Sequence, residues 1–341
     1  MKKLCLLATG GTIACVPSNK GYVPGLSGDD LLRYVPELAG YDKVAVHQIM
    51  NIDSSEMTPT DWLTLARACH RAAKTYDGIV VTHGTDTMCY TAAALSFMLS
   101  DLTIPIVLTG AQIPLAAENS DAPANLIDAF MVASQGDPGV QVVFNHKVIH
   151  GSRAFKMYSK NWDAYVSRNY PYLGRIDQGK LVKEHRAKIQ TGGKSLYSGL
   201  DDNVFLLKLS PATSPALLDY IGQDDYHGLL IEGFGTGGIS NLNRGMADGL
   251  KRFSEELKIP VVLISQCPYD GVNLDVYGIG EQASSVGVIS GNDMTTEAAL
   301  VKLMWALGQT RDLAEIRRLM ETNVCDELSP RSEPQDLVLL D

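Results

Sequence analysis

Hydrophobic positions along the chain fall into two alternating textures. Short continuous apolar runs, of the kind expected for strands buried on both faces, cover Leu4–Thr9, Val44–Met50, Gly78–Thr82, Pro105–Thr109 and Val140–Phe144. Between them lie segments with helical spacing. One opens at Thr58-Pro59, a capping residue before a first-turn proline, and runs to about Tyr76. Two more cover Thr85 to Ser100 and Asn119 to Ser134. A second alternating set follows, with strands at Val204–Leu209, Gly228–Phe234, Pro260–Gln266 and Gly287–Ser290. Its helices are expected near Ser214–Ile221, Asn243–Leu257, Asp293–Leu307 and Asp312–Glu321. Such alternation predicts α/β architecture, a parallel sheet covered by helices. Between the two sets, Gly179 to Asp202 is rich in Gly, Lys and Ser and has no helical face. An exposed linker is expected there, giving a larger N-terminal domain over 1–190, a linker over 191–203 and a smaller C-terminal domain over 204–341.

Composition agrees with a globular chain of about two domains: 341 residues, 45% hydrophobic and 20% charged. Lys+Arg number 29 against 39 Asp+Glu, a formal net charge of −10. That balance argues against general binding of nucleic acid or anionic membrane. One of the two longest uncharged runs, Leu102 to Ala117, contains two prolines and falls short of the roughly 18 apolar residues of a membrane span. The N-terminal Met1-Lys2-Lys3 and apolar Leu4–Ala8 look like the start of an export signal, but Gly10-Gly11 interrupts the stretch too early. The six cysteines are scattered without a CxxC and are read as reduced thiols of a cytoplasmic protein.

In an open parallel sheet, ligands bind beyond the carboxyl ends of the strands. After the first expected strand comes Thr9-Gly10-Gly11-Thr12; after the third, Thr82-His83-Gly84-Thr85-Asp86-Thr87; after the fourth, Thr109-Gly110-Ala111-Gln112. Any one of these is an ordinary turn or cap. Three at neighbouring strand ends concentrate hydroxyls and closely approachable backbone where a site belongs.

Other chemistries find little support. GxSxG, the P-loop pattern and HExxH are absent. His146 and His150 are four apart but have no third ligand in the text. Gly233 to Gly238 fits GxGxxG after a good strand, yet the next strand ends on Ser265-Gln266 rather than an acid. A nucleotide-binding protein using that loop is the rival from a different class.

The strand-end motifs resemble those of the bacterial-type L-asparaginase (asparaginase/glutaminase) family. The segment Ala8 to Ala14, ATGGTIA, and the segment His83 to Met88, HGTDTM, stand intact and in order. The likeness extends through Ile52–Met57, Thr109–Pro114, Gly151–Lys156 and, weakly, Ser290–Thr295, and is nearest the cytoplasmic (type I) branch. By this resemblance, Thr12 corresponds to the nucleophile and Tyr22 to the tyrosine of a loop that closes over the site. Ser54, with Asp53 and Ser55 beside it, corresponds to the holder of the substrate α-carboxylate. Thr85, Asp86 and Lys156 correspond to a second threonine and its acid–base partners, and Ala111 to a backbone contact with the substrate amide. The chain departs from the pattern at Ala154-Phe155, where relatives carry small or hydroxylated residues, and at Gly235–Ser240, where many place an asparagine that Asn241 or Asn243 cannot safely replace.

What the resemblance implies is a two-domain enzyme, a Rossmann-like parallel-sheet domain plus a smaller parallel α/β domain. It would hydrolyse L-asparagine to L-aspartate and ammonia without metal or organic cofactor, as a homo-oligomer (dimer or tetramer) with no nucleic-acid or membrane partner. The nearer rival is a relaxed glutaminase–asparaginase or another small-amide amidase.

Overall fold

The computed structural model describes residues 2–19, 21–41, 44–187, 195–239, 245–274 and 287–330. Residues 191–194 of the expected linker, and both Asn241 and Asn243, lie outside them. In chain order the first lobe contains β1 (Leu4–Gly10), the hairpin β2 (Cys15–Ser18) and β3 (Gly21–Pro24), α1 (Gly28–Tyr34), β4 (Ala45–Ile52), α2 (Pro59–Ala72), β5 (Gly78–Thr82), α3 (Met88–Met98), β6 (Pro105–Thr109) and α4 (Ala122–Gln135). It continues with β7 (Gly139–Phe144), β8 (Lys147–His150), the short pair β9 (Ala154–Lys156) and β10 (Tyr165–Ser167), β11 (Gly174–Asp177) and β12 (Lys180–Lys183). The second lobe has β13 (Val204–Lys208), α5 (Ala216–Ile221), β14 (Gly228–Gly233), α6 (Met246–Glu255), β15 (Val261–Ser265), β16 (Ile289–Ser290), α7 (Thr296–Gln309) and α8 (Leu313–Glu321).

The large sheet has eight strands in the order β12-β11-β8-β7-β6-β5-β1-β4. Five of them, β4 to β7 through β1, pair in parallel as the alternating pattern predicts. Beyond β7 the pairing turns antiparallel, a region the hydrophobic pattern does not reveal. β4 sits at the opposite edge and is only half-buried; the expectation of burial on both faces fails there because, among the described residues, no strand pairs with its outer flank. The second lobe carries an all-parallel four-stranded sheet, β13-β14-β15-β16.

Local signals explain several boundaries. Thr58 and Asp61 form a reciprocal capping box at the start of α2, with Pro59 in the first turn. α3 shows no polar stripe; ten of its side chains, from Met88 to Met98, are buried, the signature of a helix covered all round. It begins at Met88, not at Thr85. Asp86 gives its backbone N–H to Ser54 Oγ at 3.3 Å and Thr87 Oγ1 donates to Ser54 O at 2.7 Å. These bonds pull residues 85–87 out of helical register.

One hydrophobic core runs through both lobes. It joins Leu7, Val81, Phe97 and Phe144 of the first to Leu230, Val262, Leu303 and Trp305 of the second, with Phe97 stacked on Trp305 at a centroid distance of 5.9 Å. Such an apolar interface holds lobes in one arrangement. Among the described residues, no helix is long and apolar enough to cross a membrane.

Past α8 the chain turns back across the interface as a strap, residues 323–329. Its anchor is a fully buried ion pair between Lys302 on α7 and Glu327. Lys302 Nζ also donates to the carbonyls of Met320 (2.9 Å) and Thr322 (2.7 Å). Glu327 accepts from the amides of Val324 and Cys325. Burial pushes the Glu327 carboxyl up, but the Lys302 ammonium and these amides outweigh it and hold it below its ordinary value. Removing one partner strands the other charge. Lys302→Ala is therefore expected to cost about 3–5 kcal/mol in urea unfolding, with Lys302→Met combined with Glu327→Leu recovering most of it.

Candidate active site

Three turns meet at the carboxyl ends of adjacent strands. β1 ends at Gly10, and Gly11 follows with φ of +76°. A Cβ on Gly11 would lie 2.3 Å from Gly84 Cα, and a Cβ on Gly84 would lie 2.5 Å from Ser54 Oγ. Only glycine permits these contacts. They press the Thr12 turn against the Thr85 turn, and the Thr85 turn against residues 53–55. The first hydroxyl thus comes from the end of β1 and the second from the end of β5, its direct neighbour in the sheet. Among the described residues, neither backbone amide, Thr12 N nor Thr85 N, has a protein acceptor. Among the described residues the Ala111 amide likewise has no protein acceptor and its carbonyl no protein donor, and its side chain is fully buried.

Lys156 arrives from a different direction. It ends β9, where it pairs with Tyr165 on β10. Its Nζ donates to Thr85 Oγ1 at 2.8 Å and to Asp86 Oδ1 at 2.6 Å. Its side chain is 15% exposed, whereas that of Asp86 is 68% exposed. A solvated surface lysine has neither such partners nor such burial. Thr85 itself is buried. Its hydroxyl accepts from Lys156 and donates to Gln112 Oε1 at 3.3 Å, and Gln112 Nε2 reaches on to Asn161 O at 3.0 Å.

Two of these neighbours were invisible to sequence reasoning. Gln112 stood inside a strand-end motif but carried no signal of contact with Thr85. Tyr165, buried, donates its hydroxyl to Thr85 O. It lies in a stretch without motif, and only the β9–β10 register places it beside Lys156.

Ser54 is buried, and its Oγ faces the Asp86 amide. Asp53 and Ser55 serve each other: Asp53 Oδ1 accepts from Ser55 N at 2.8 Å and Ser55 Oγ at 2.7 Å. That pairing is a capping turn as well as a neighbour of the site. Tyr22 stands apart. It lies on β3, paired with Pro17 of β2 and 58% exposed, and its hydroxyl has no hydrogen bond to another described residue. The strand that carries it does return beside the Thr12 turn, where Gly25 N and Leu26 N both donate to Ala14 O.

His83 supports the second turn from beneath. Its Nδ1 lies 2.7 Å from Gly84 O and its Nε2 2.8 Å from Thr91 Oγ1. A carbonyl only accepts, so Nδ1 carries the proton and Nε2 accepts from the threonine. Full burial pushes the imidazole down from 6.5 to about 4, against the favourable pull of the Gly84 carbonyl.

The other sequence candidates lead elsewhere. His146 pairs with Asp128 at 2.7 Å, and buried His150 accepts from Ser152 N as a cap. Gly233 to Gly238 closes on itself: Gly237 N and Gly238 N both donate to Phe234 O. Those amides are spent internally, and the next helix starts only at Met246, so the loop lacks the geometry that cradles a pyrophosphate.

Comparisons with known proteins agree with one another. Residues 3–189 match the family model described as "Asparaginase, N-terminal", and residues 203–320 match "Glutaminase/Asparaginase C-terminal domain". The chain is 42% identical to the L-asparaginase of Thermococcus kodakarensis, over 96% of this chain and 99% of that one. It is 38% identical to a glutamyl-tRNA(Gln) amidotransferase component from Methanosphaera stadtmanae, over 96% of this chain and 77% of the relative. A solved structure of the thermostable L-asparaginase from Thermococcus kodakarensis superposes with a TM-score of 0.92 at 41% identity, covering 96% of this chain and all (100%) of that one.

A histidine kept neutral by burial makes stability pH-dependent. Unfolded, His83 binds its proton below 6.5; folded, only below about 4. The unfolded state therefore holds more protons between those values, and stability falls as pH falls through that window. Replacing His83 by Gln is expected to shrink the loss of unfolding free energy between pH 6.5 and pH 4.5 by about 2–3 kcal/mol, measured by urea titration at both pH values.

Proposed function

Because the chain belongs to the asparaginase family of amidohydrolases, we propose that it hydrolyses L-asparagine to L-aspartate and ammonia through an acyl-enzyme on Thr12. The observation that carries this reading is the bridge from Lys156 Nζ to Thr85 Oγ1 and Asp86 Oδ1, beside the Thr12 turn.

A threonine hydroxyl is a weak nucleophile and needs a relay. In this reading Thr12 Oγ attacks the side-chain amide carbon, and the unpartnered amides at Thr12 and Thr85 face the developing oxyanion. Such donors are worth about 3–4 kcal/mol each. The departing nitrogen takes the Thr12 proton and a second from the Lys156 ammonium, and leaves as ammonium. Lys156, now neutral, accepts a proton from water through Thr85. The water oxygen attacks the ester carbonyl, its remaining proton passes to the departing Thr12 oxygen, and aspartate leaves as the carboxylate. No step draws on a metal or organic cofactor. Asp86 holds the lysine and faces the substrate α-ammonium; Ser54, with Asp53 and Ser55, receives the α-carboxylate; the Ala111 backbone meets the side-chain amide. Tyr22, on its exposed hairpin, closes over the bound substrate.

Further parts of the proposal rest on the resemblance. We divide the chain into domains 1–190 and 204–341, and we place it in the cytoplasm as a homo-oligomer. Free thiols at all six cysteines suit that compartment, and half-exposed Met157, Tyr158 and Trp162 beside the site suit an apolar contact with a second copy.

Ammonia release from asparagine tests the reading. Thr12→Ala and Lys156→Met are each expected to lose at least about a thousandfold in kcat while folding normally; an unchanged rate in either removes that residue from the mechanism. Glutamine at equal concentration is expected to release ammonia more slowly, and equal efficiency would favour a relaxed glutaminase–asparaginase.

A further inference from the structure

Lys156 stands on a fragile support. β9 and β10 are three residues each and form a sheet of their own. A two-stranded ribbon that short is marginal in water. Its ladder cannot by itself hold an ammonium within hydrogen-bond distance of a hydroxyl. Something outside must fix the strand.

At the near end buried Tyr165 is bonded to Thr85 O; at the far end the fixing groups are two buried arginines, one just before β9 and one just past β10. Arg153 is fully buried. Its Nη1 donates to Asp293 Oδ2 at 2.8 Å, its Nε to Asp326 O at 2.6 Å and its Nη2 to Ser329 Oγ at 3.3 Å. Its guanidinium lies over the Tyr170 ring at 5.2 Å. Arg168 gives its backbone N–H to Arg153 O at 2.9 Å, closing the ribbon. Its guanidinium donates to the carbonyls of Pro268 and Cys267 and lies over Phe155 at 4.8 Å. All these acceptors belong to the second lobe or to the strap, apart from the closing bond within the ribbon. Asp293 is itself held there: Ser329 N donates to its Oδ1 at 3.0 Å and Ser329 Oγ to its Oδ2 at 2.6 Å.

We propose that Arg153, clamped by Asp293 and Ser329, is a positioning residue for the hydrolysis. It fixes the strand on which Lys156 stands, so that the second lobe sets the geometry of the first lobe's relay. The clamp touches neither substrate nor reacting atoms. It acts only through Lys156, and the inference rests on the role of Lys156 given above. Its logic is geometric: Lys156 follows Arg153 by three positions, along an extended segment with little freedom to absorb a shift. A misplacement of about 1 Å at a reacting group can cost about a hundredfold in rate.

The test compares Asp293→Asn, Ser329→Ala, Arg153→Lys and Arg153→Gln with Lys156→Met and the wild type, reading kcat, KM and thermal unfolding. Asp293→Asn is expected to lower kcat about 10- to 100-fold with KM within about threefold, in protein that unfolds cooperatively above the assay temperature. Ser329→Ala, which keeps both charges, is expected to lose several-fold in kcat in the same pattern and decides the matter if Asp293→Asn does not fold. Arg153→Lys is expected to keep more kcat than Arg153→Gln. Wild-type kcat in folded Asp293→Asn or Ser329→Ala, or losses confined to KM, would overturn the proposal. A wild-type rate in Lys156→Met would instead overturn the reading beneath it, and is seen in that variant alone.

Discussion

One short contact organises this molecule: an ammonium shared between a hydroxyl and a carboxylate that neighbour each other in sequence. Lys156 reaches Thr85 and Asp86 from a segment about seventy residues further along the chain. Charge-assisted bonds of this kind are strong only where water is kept away and geometry is fixed. The surrounding structure meets those two conditions at the Lys156–Thr85 bond, while Asp86 stays largely in water. Glycines at positions 11 and 84 let the turns close without side chains between them. The Tyr165 hydroxyl pins the carbonyl of Thr85, and neutral His83 pins that of Gly84.

Holding two lobes together is the larger-scale version of the same requirement. A continuous apolar core sets their arrangement. Buried polar groups then set the details, at a desolvation cost that only complete pairing offsets. Lys302 with Glu327, and Arg153 with Asp293, are each bonded at several atoms rather than one. Apolar surface gives adhesion without direction, whereas these ions give register. The strap from 323 to 329 carries both arrangements, which links the stability of the second lobe to the alignment of the relay.

How much of this was legible in the sequence follows from the range of each interaction. β5 and β6 were readable to the residue because strands covered on both faces write themselves as unbroken apolar runs. β4 was readable but misjudged, since an edge strand looks like an interior one until its neighbours are known. The helix expected from Thr85 began three residues late because Ser54, remote in sequence, competes for the backbone there. Among the site residues, Thr12, Thr85 and Asp86 could be suspected from strand ends alone. Lys156 and Tyr22 could be singled out only by resemblance. The contacts of Gln112, Tyr165 and Arg153 were beyond reach, because their partners lie far along the chain and no local pattern encodes the meeting. The antiparallel β8, β11 and β12 were missed for a related reason: short, half-polar strands have no texture distinct from loop.

The central claim is that Thr12 carries the acyl group while Thr85 and Lys156 move protons. Acid quenching during turnover on asparagine, followed by peptide mapping in the mass spectrometer, tests it most directly. The account predicts an aspartyl ester on the peptide containing Thr12, accumulating further in Thr85→Ala, where water loses its proton path. An ester on Thr85 in the wild type would contradict it.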